Sequence, residues 1–157
     1  MRKLTFGYLY DFRNPVQWHQ PPADLYAQIL EFISWTESLG FEEAWVPEHH
    51  GADDAYMPSP LVTLAAIAAR TNTIKLGSAV ALAPLYHPVR FAEDCAVLDI
   101  LSNGRLEIGV AIGHLRREAE AYEWTSPHVA VARTSSWRLF ADSGPARRFL
   151  TRVSFST

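Results

Sequence analysis

Between Leu4 and Tyr122, a short apolar run gives way four times to a loop and then to a segment with helical spacing. This alternation restricts the chain to few folds, because strands separated by helices run parallel and the helices must cover the sheet. The patterning predicts strands over Leu4–Tyr10, Glu43–Pro47, Ile74–Leu82 and Arg105–Ile112. The first predicted helix begins at Ala23, buries Leu25, Ile29, Phe32, Ile33 and Thr36, and ends at a Gly40 cap. Ser59-Pro60 signals the second helix, with Ser59 as N-cap and Leu61, Leu64, Ala65 and Ala68 on its buried face. Pro88 opens the third, which carries Ala92, Cys95, Ala96 and Leu98 to about Leu101; Asn103-Gly104 then turns the chain. A fourth helix is expected over Leu115–Tyr122. The unit recurs roughly every 30–35 residues, the length of one strand-helix repeat.

The third and fourth strands carry a second constraint. Leu76, Ser78, Val80 and Leu82 alternate with Gly77, Ala79, Ala81 and Ala83, and Gly109, Ala111 and Gly113 alternate with larger aliphatics. Successive strand residues face opposite ways, so one face is bulky and the other is small toward its C-terminal end. A small face suits either a flat ligand or close backbone packing, and the pattern leaves both open.

Trp45-Val46-Pro47-Glu48-His49-His50-Gly51 places a carboxylate and two imidazoles at the end of the second strand. In a regular strand Glu48 and His50 share one side and His49 takes the other; a loop relaxes that rule. The spacing is not the H-E-x-x-H of a zinc helix, and further ligands would have to come from His87, His114 or Asp53. No metal is expected. A solvated polar strand end is the bland alternative. Elsewhere, Arg90 and Glu93 have the spacing of a surface pair on a helix, and Arg105 reads as a structural salt bridge. His87 orients the loop before the third helix, and the five tryptophans read as core and loop packing.

The 157 residues, 48% of them hydrophobic, suffice for one domain and contain no apolar run long enough to span a membrane. The N-terminus, with Arg2, Lys3, Asp11 and Arg13, lacks a signal-peptide core. The single Cys95 excludes an internal disulfide and fits a reducing cytoplasm, with the thiol on a buried helix face. The net charge of −3 divides unevenly, with −7 over residues 1–124 and +4 over 125–157. The second segment has five Arg, no Lys and ten Ser or Thr. Its arginines lie scattered among Phe, Leu and Val without a common face, which argues against a nucleic-acid arm.

Glu48-His49-His50, the run from Asn72 to Gly113 (NTIKLGSAVALAPLYHPVRFAEDCAVLDILSNGRLEIGVAIG) and Arg116-Arg117-Glu118 together resemble the bacterial luciferase-like monooxygenases. The resemblance covers residues 3–124 and rests on several separated motifs in the right order. It implies a (β/α)₈ TIM barrel, of which about four βα units are present, using reduced FMN or, in relatives, the deazaflavin F420. It implies an enzyme that oxidises a small organic substrate with O₂, with FMNH₂ supplied by a separate flavin reductase. His49 matches the catalytic acid/base imidazole, and Glu48 the carboxylate beside it. Ala79-Val80 matches the third-strand segment on which the flavin ring packs, through a non-prolyl cis peptide in luciferases. Ala111 and Gly113 match the flavin-proximal end of the fourth strand, with Ile112 where luciferases have arginine.

Residues 125–157 no longer resemble the family, and their composition is that of a shifted reading frame in a G+C-rich gene. Four strands without closure would leave the first and fourth as open edges that invite self-association. The family holds the flavin phosphate largely in the other half of the barrel, so weak flavin binding and impaired activity are expected. A flavin-binding or dimerising half-barrel without catalysis is the remaining alternative.

Overall fold

The computed structural model describes residues 4–123 together with Ser154 and Phe155. Its sheet contains β1 (Gly7–Leu9), β2 (Glu43–Val46), β3 (Lys75–Leu82), β4 (Leu106–Ala111) and β5 (Ser154–Phe155), in that spatial order. Every neighbouring pair is parallel. Helices α1 (Pro22–Ser38), α2 (Pro60–Arg70), α3 (Pro88–Leu101) and α4 (Arg116–Ala121) follow the first four strands in turn. The expected strand-helix alternation is therefore present, as four successive βα units. β1 is shorter than predicted, although Glu42 N–H to Phe6 O and Tyr10 N–H to Trp45 O extend its pairing.

The helix ends follow from local chemistry. Pro stands in the first turn of α1, α2 and α3, where its missing N–H costs nothing. Gly40 (φ +89°) ends α1 in a Schellman motif: Gly40 N–H reaches Glu37 O and Phe41 N–H reaches Thr36 O. Ser59 holds the N-cap position of α2, but its hydroxyl makes no capping bond. Its backbone (φ −137°, ψ 73°) lies outside the extended region from which a cap reaches the first amides, and its carbonyl accepts Thr63 N–H instead. Two predicted core residues face outward, Phe32 and Ala96, while Leu61 is partly buried against the core. Leu30, Thr63, Ile67 and Phe91 fill the corresponding core positions. Trp18 and Trp35 are likewise exposed, contrary to the expected packing role.

The core lies between the helices and one face of the sheet, built on Ile33, Val46, Leu64, Ile67, Leu76, Phe91, Cys95, Ile108 and Val110. Burial of this apolar area dominates the stability of the layer. Burial also pushes the Cys95 thiol well above its ordinary range.

Strand β3 departs from the expected alternation. Its pairing with β4 shifts register between Ser78 and Ala81, where the Ala79-Val80 peptide is cis. Leu76 and Ser78 face the helices, but beyond the shift Ala81 and Ala83 join the core. Val80 and Leu82 instead line cavities outside that core. Bulky and small positions thus exchange faces midway along the strand. β4 keeps its alternation, with Leu106, Ile108 and Val110 in the core. Gly109 lies across from the shift, and a Cβ there would stand 2.7 Å from the Ser78 carbonyl oxygen.

The expected open edge on the fourth strand is also corrected. β5 pairs along it, Gly109 with Ser154 and Val110 with Phe155. The reading of residues 125–157 as an off-family tail otherwise lies outside the described residues.

Candidate functional site

β2 ends at Val46, so Glu48, His49 and His50 occupy the loop beyond the C-terminal end of the sheet. In α/β sheets this end gathers functional loops. Several bonds fix the loop: His49 N–H donates to Met57 O at 2.9 Å, and Asn14 N–H to Asp54 O at 2.8 Å. Arg13 anchors it from the side, 2.6 Å from the Asp54 carboxylate and 5.0 Å from the centre of the Tyr56 ring. The Arg13 guanidinium holds the Asp54 carboxyl below its usual value.

The regular-strand rule survives into this loop. Glu48 and His50 meet on one side, with His50 Nε2 3.0 Å from Glu48 Oε1. His49 turns to the other side, its Nδ1 3.0 Å from Glu118 Oε1 and its ring 4.2 Å from that of Tyr56. Both carboxylate side chains are only 2% exposed. A buried carboxylate needs its hydrogen bonds satisfied, and each one has several donors. Glu48 Oε2 accepts Leu82 N–H at 2.6 Å, and Oε1 accepts the Tyr86 hydroxyl at 2.6 Å. Glu118 Oε1 accepts His50 N–H at 3.0 Å. Tyr122 O–H meets His50 Nδ1 at 2.9 Å.

Burial, followed by the Glu48 charge, raises the Tyr86 phenol far above its ordinary pKa. Burial also raises Tyr122, with Glu48 and Glu118 adding to the effect. Both phenols therefore stay protonated, which keeps Tyr86 a donor to Glu48.

A cavity of about 340 Å³ opens beside His49. Ala79, Val80, Ala111 and Gly113 line it together with Glu48 and Glu118, so the structure gathers all six sequence-predicted site residues around one space. A second, more open hollow of about 440 Å³ continues along the same face of the sheet past Leu9, Trp45 and Gly109. Ile112 and His114 also border the first cavity. Among the described residues, no group of three His, Cys, Asp or Glu has metal-holding geometry.

Several site residues carried no role in the sequence reading. Glu118 was visible in the Arg116-Arg117-Glu118 motif, but nothing in its spacing showed that it reaches His49 across 69 positions. Tyr86 and Tyr122 are ordinary aromatics until the fold brings them to Glu48 and His50. His87 stands at the N-cap position of α3, exposed and without a side-chain capping bond.

At the opposite end of the sheet, Arg105 forms no salt bridge among the described residues. Its guanidinium donates to the carbonyls of Ala68, Thr71, Ile74 and Ser102 and to the Thr71 hydroxyl, all neutral oxygens. Burial lowers its pKa, opposed by Glu37. On the surface of α3, Arg90 approaches Asp94 at 2.9 Å more closely than Glu93 at 3.9 Å. Among the described residues no helix is long and apolar enough to cross a membrane.

A parallel sheet with small residues at the C-terminal ends of β3 and β4 thus faces a buried Glu-His cluster across one cavity. The model of the luciferase-like monooxygenase family matches residues 4–135, and the chain belongs to that family. It is 35% identical over 101 residues to the oxygenase component of the flavin-dependent trigonelline monooxygenase of Acinetobacter baylyi. That match covers 64% of this chain and 28% of the relative. Among solved structures, monooxygenase RslO1 from Streptomyces bottropensis superposes with a TM-score of 0.74 at 30% identity, covering 83% of this chain and 39% of that one. The coenzyme F420-dependent tetrahydromethanopterin reductase of Methanopyrus kandleri gives 0.60 at 26% identity, covering 82% and 32%. The chain thus spans about a third of the length of the relatives it matches.

Proposed function

We propose that this chain carries the proton-handling end of a flavin-dependent monooxygenase that oxidises a small organic substrate with O₂. The observation that supports this most directly is the shared cavity of His49 and the small residues Ala79, Val80, Ala111 and Gly113. Those four positions would take the face of a flat ring, because their side chains leave space beside the sheet. Reduced FMN, when bound, supplies the electrons that activate O₂. His49 takes up and returns protons at the cavity wall, a task that imidazole performs near neutral pH. Glu48 acts as a positioning residue, since Leu82, Tyr86 and His50 all donate to its carboxylate.

FMNH₂ would reach the whole enzyme from a separate reductase, as the oxygenase-component relative suggests. The phosphate-holding part of the family barrel lies outside the matched stretch, so this chain alone should hold FMN more weakly than low micromolar. Titration of the purified chain with reduced FMN, followed by flavin fluorescence, tests the reading. Saturable binding that Val80→Trp abolishes supports it, and no binding at millimolar FMN overturns it.

The F420-dependent reductase relative favours a second reading, hydride transfer with F420 on the same scaffold. Tighter binding of reduced F420 than of FMN in the same titration selects it. Binding of flavin without O₂ consumption would indicate a non-catalytic half-barrel. Self-association through the side of β1 that pairs with no strand among the described residues belongs to the same proposal and is read by light scattering. Residues 125–157 are read as the product of a shifted frame, although the family match reaches into them as far as residue 135. Translating the downstream gene in the other two frames tests that origin, and absence of the family's second half from both rejects it.

A further inference from the structure

We propose that the adjacent imidazoles of His49 and His50 are held in opposite neutral tautomers, each set by its own buried carboxylate. The assignment follows from which atoms can only accept. Glu118 Oε1 already accepts the His50 backbone N–H at 3.0 Å, so this oxygen acts as an acceptor. His49 Nδ1 lies 3.0 Å from the same oxygen and must bring the proton to it. His49 is therefore the Nδ1–H tautomer, and Nε2 carries the lone pair. Among the described residues, no hydrogen bond occupies that Nε2.

For His50 the donor is the other nitrogen. Glu48 Oε1 accepts the Tyr86 hydroxyl at 2.6 Å, and His50 Nε2 stands 3.0 Å from it. His50 is therefore the Nε2–H tautomer, and its Nδ1 accepts the Tyr122 hydroxyl at 2.9 Å. The hydrogen bond made by one ring nitrogen fixes the role of the other, and a carboxylate is the usual partner that does so. Both nitrogens of His50 are thus spent on holding Glu48 and Tyr122. His49 spends one on Glu118 and keeps the other for chemistry in the cavity.

The division of labour follows. His49 is the proton-exchanging imidazole, through Nε2, while Glu118 and His50 are positioning residues. The catalytic use of Nε2 rests on the monooxygenase reading; the tautomers do not.

Long-range proton–nitrogen correlation spectra of the nitrogen-labelled chain, without cofactor and at a pH where both imidazoles are neutral, read each ring directly. His49→Gln and His50→Gln assign the signals by deleting them. The expected result is an Nδ1–H pattern for His49 and an Nε2–H pattern for His50. Glu118→Ala, which removes the acceptor oxygen, should release His49 toward Nε2–H and leave the His50 tautomer unchanged. Tyr122→Phe should leave both tautomers in place. An Nε2–H pattern for His49 in the unaltered chain, or the same tautomer on both rings, overturns the proposal. So does a folded Glu118→Ala chain in which His49 does not move. If that variant fails to fold, the unaltered spectrum alone decides. Opposite tautomers in a chain that binds no flavin would uphold this inference while rejecting the proposed function.

Discussion

The two ends of the sheet use the same device for different ends. At the N-terminal end, the Glu37 carboxylate collects the backbone N–H groups of Asn72, Thr73 and Ile74 and the Thr73 hydroxyl. Arg105 collects four carbonyls and a hydroxyl from the same region. Their hydrogen bonds go to groups that do not titrate near neutral pH, so this end only stiffens the fold. At the C-terminal end, Glu48 and Glu118 also satisfy backbone amides, but each gives an oxygen to an imidazole. That one difference makes a loop anchor into a site, because the geometry of a titratable ring then depends on the anchor.

Removing Arg105 should do the most to break the comparison from the stability side. Arg105→Ala leaves several carbonyls without their donor and should cost about 3 kcal/mol, read as a lower urea midpoint. Arg105→Lys should recover less than half, since an ammonium lacks the planar fork. Neither should move the His49 tautomer, and a shift there would mean that the ends are coupled.

Glu48→Ala comes next, at about 2 kcal/mol, because Leu82 N–H and the Tyr86 hydroxyl lose a buried acceptor. Unlike the Arg105 change it should also free the His50 ring, seen as loss of its single tautomer.

The third test is pH. Burial acts to raise the Glu37 carboxyl, but the amides of Ile74, Thr73 and Asn72 outweigh it and hold the folded value below the usual one. A depressed folded pKa gives stability that is present above the unfolded value and lost as pH falls through the folded one. Glu37→Gln should therefore cost about 1 kcal/mol at neutral pH, and this cost should shrink in acid unfolding curves. A cost that stays constant down to acid pH would show that the charge contributes nothing.

His49→Asn should have the smallest effect on stability, within about 0.5 kcal/mol. On the proposed function, the same change should lower turnover by about 100-fold. Equal effects on turnover and stability would return His49 to a structural role.

Much of this was legible in the chain. Helix α3 runs over the predicted Pro88–Leu101, because Pro88 favours its first turn and Asn103-Gly104, both at positive φ, turn the chain beyond it. The pairing of Glu48 with His50 and the opposite facing of His49 followed from strand parity. Parity failed in β3, since a register shift is a property of two strands and not of one. Phe32 and Ala96 were misplaced because helical spacing admits several neighbouring faces, and only the docking of the helices in the fold selects one.

The sequence by itself therefore determined the alternating fold and the candidate residues of its site, because hydrophobic period, proline, glycine and motif order are local signals. The tertiary structure decided which carboxylate meets which imidazole. Glu118 and His49 lie 69 positions apart, and Glu48 and Leu82 lie 34 apart. No local pattern encodes such a pairing, since it depends on how four loops converge once the parallel strands have aligned their C-terminal ends.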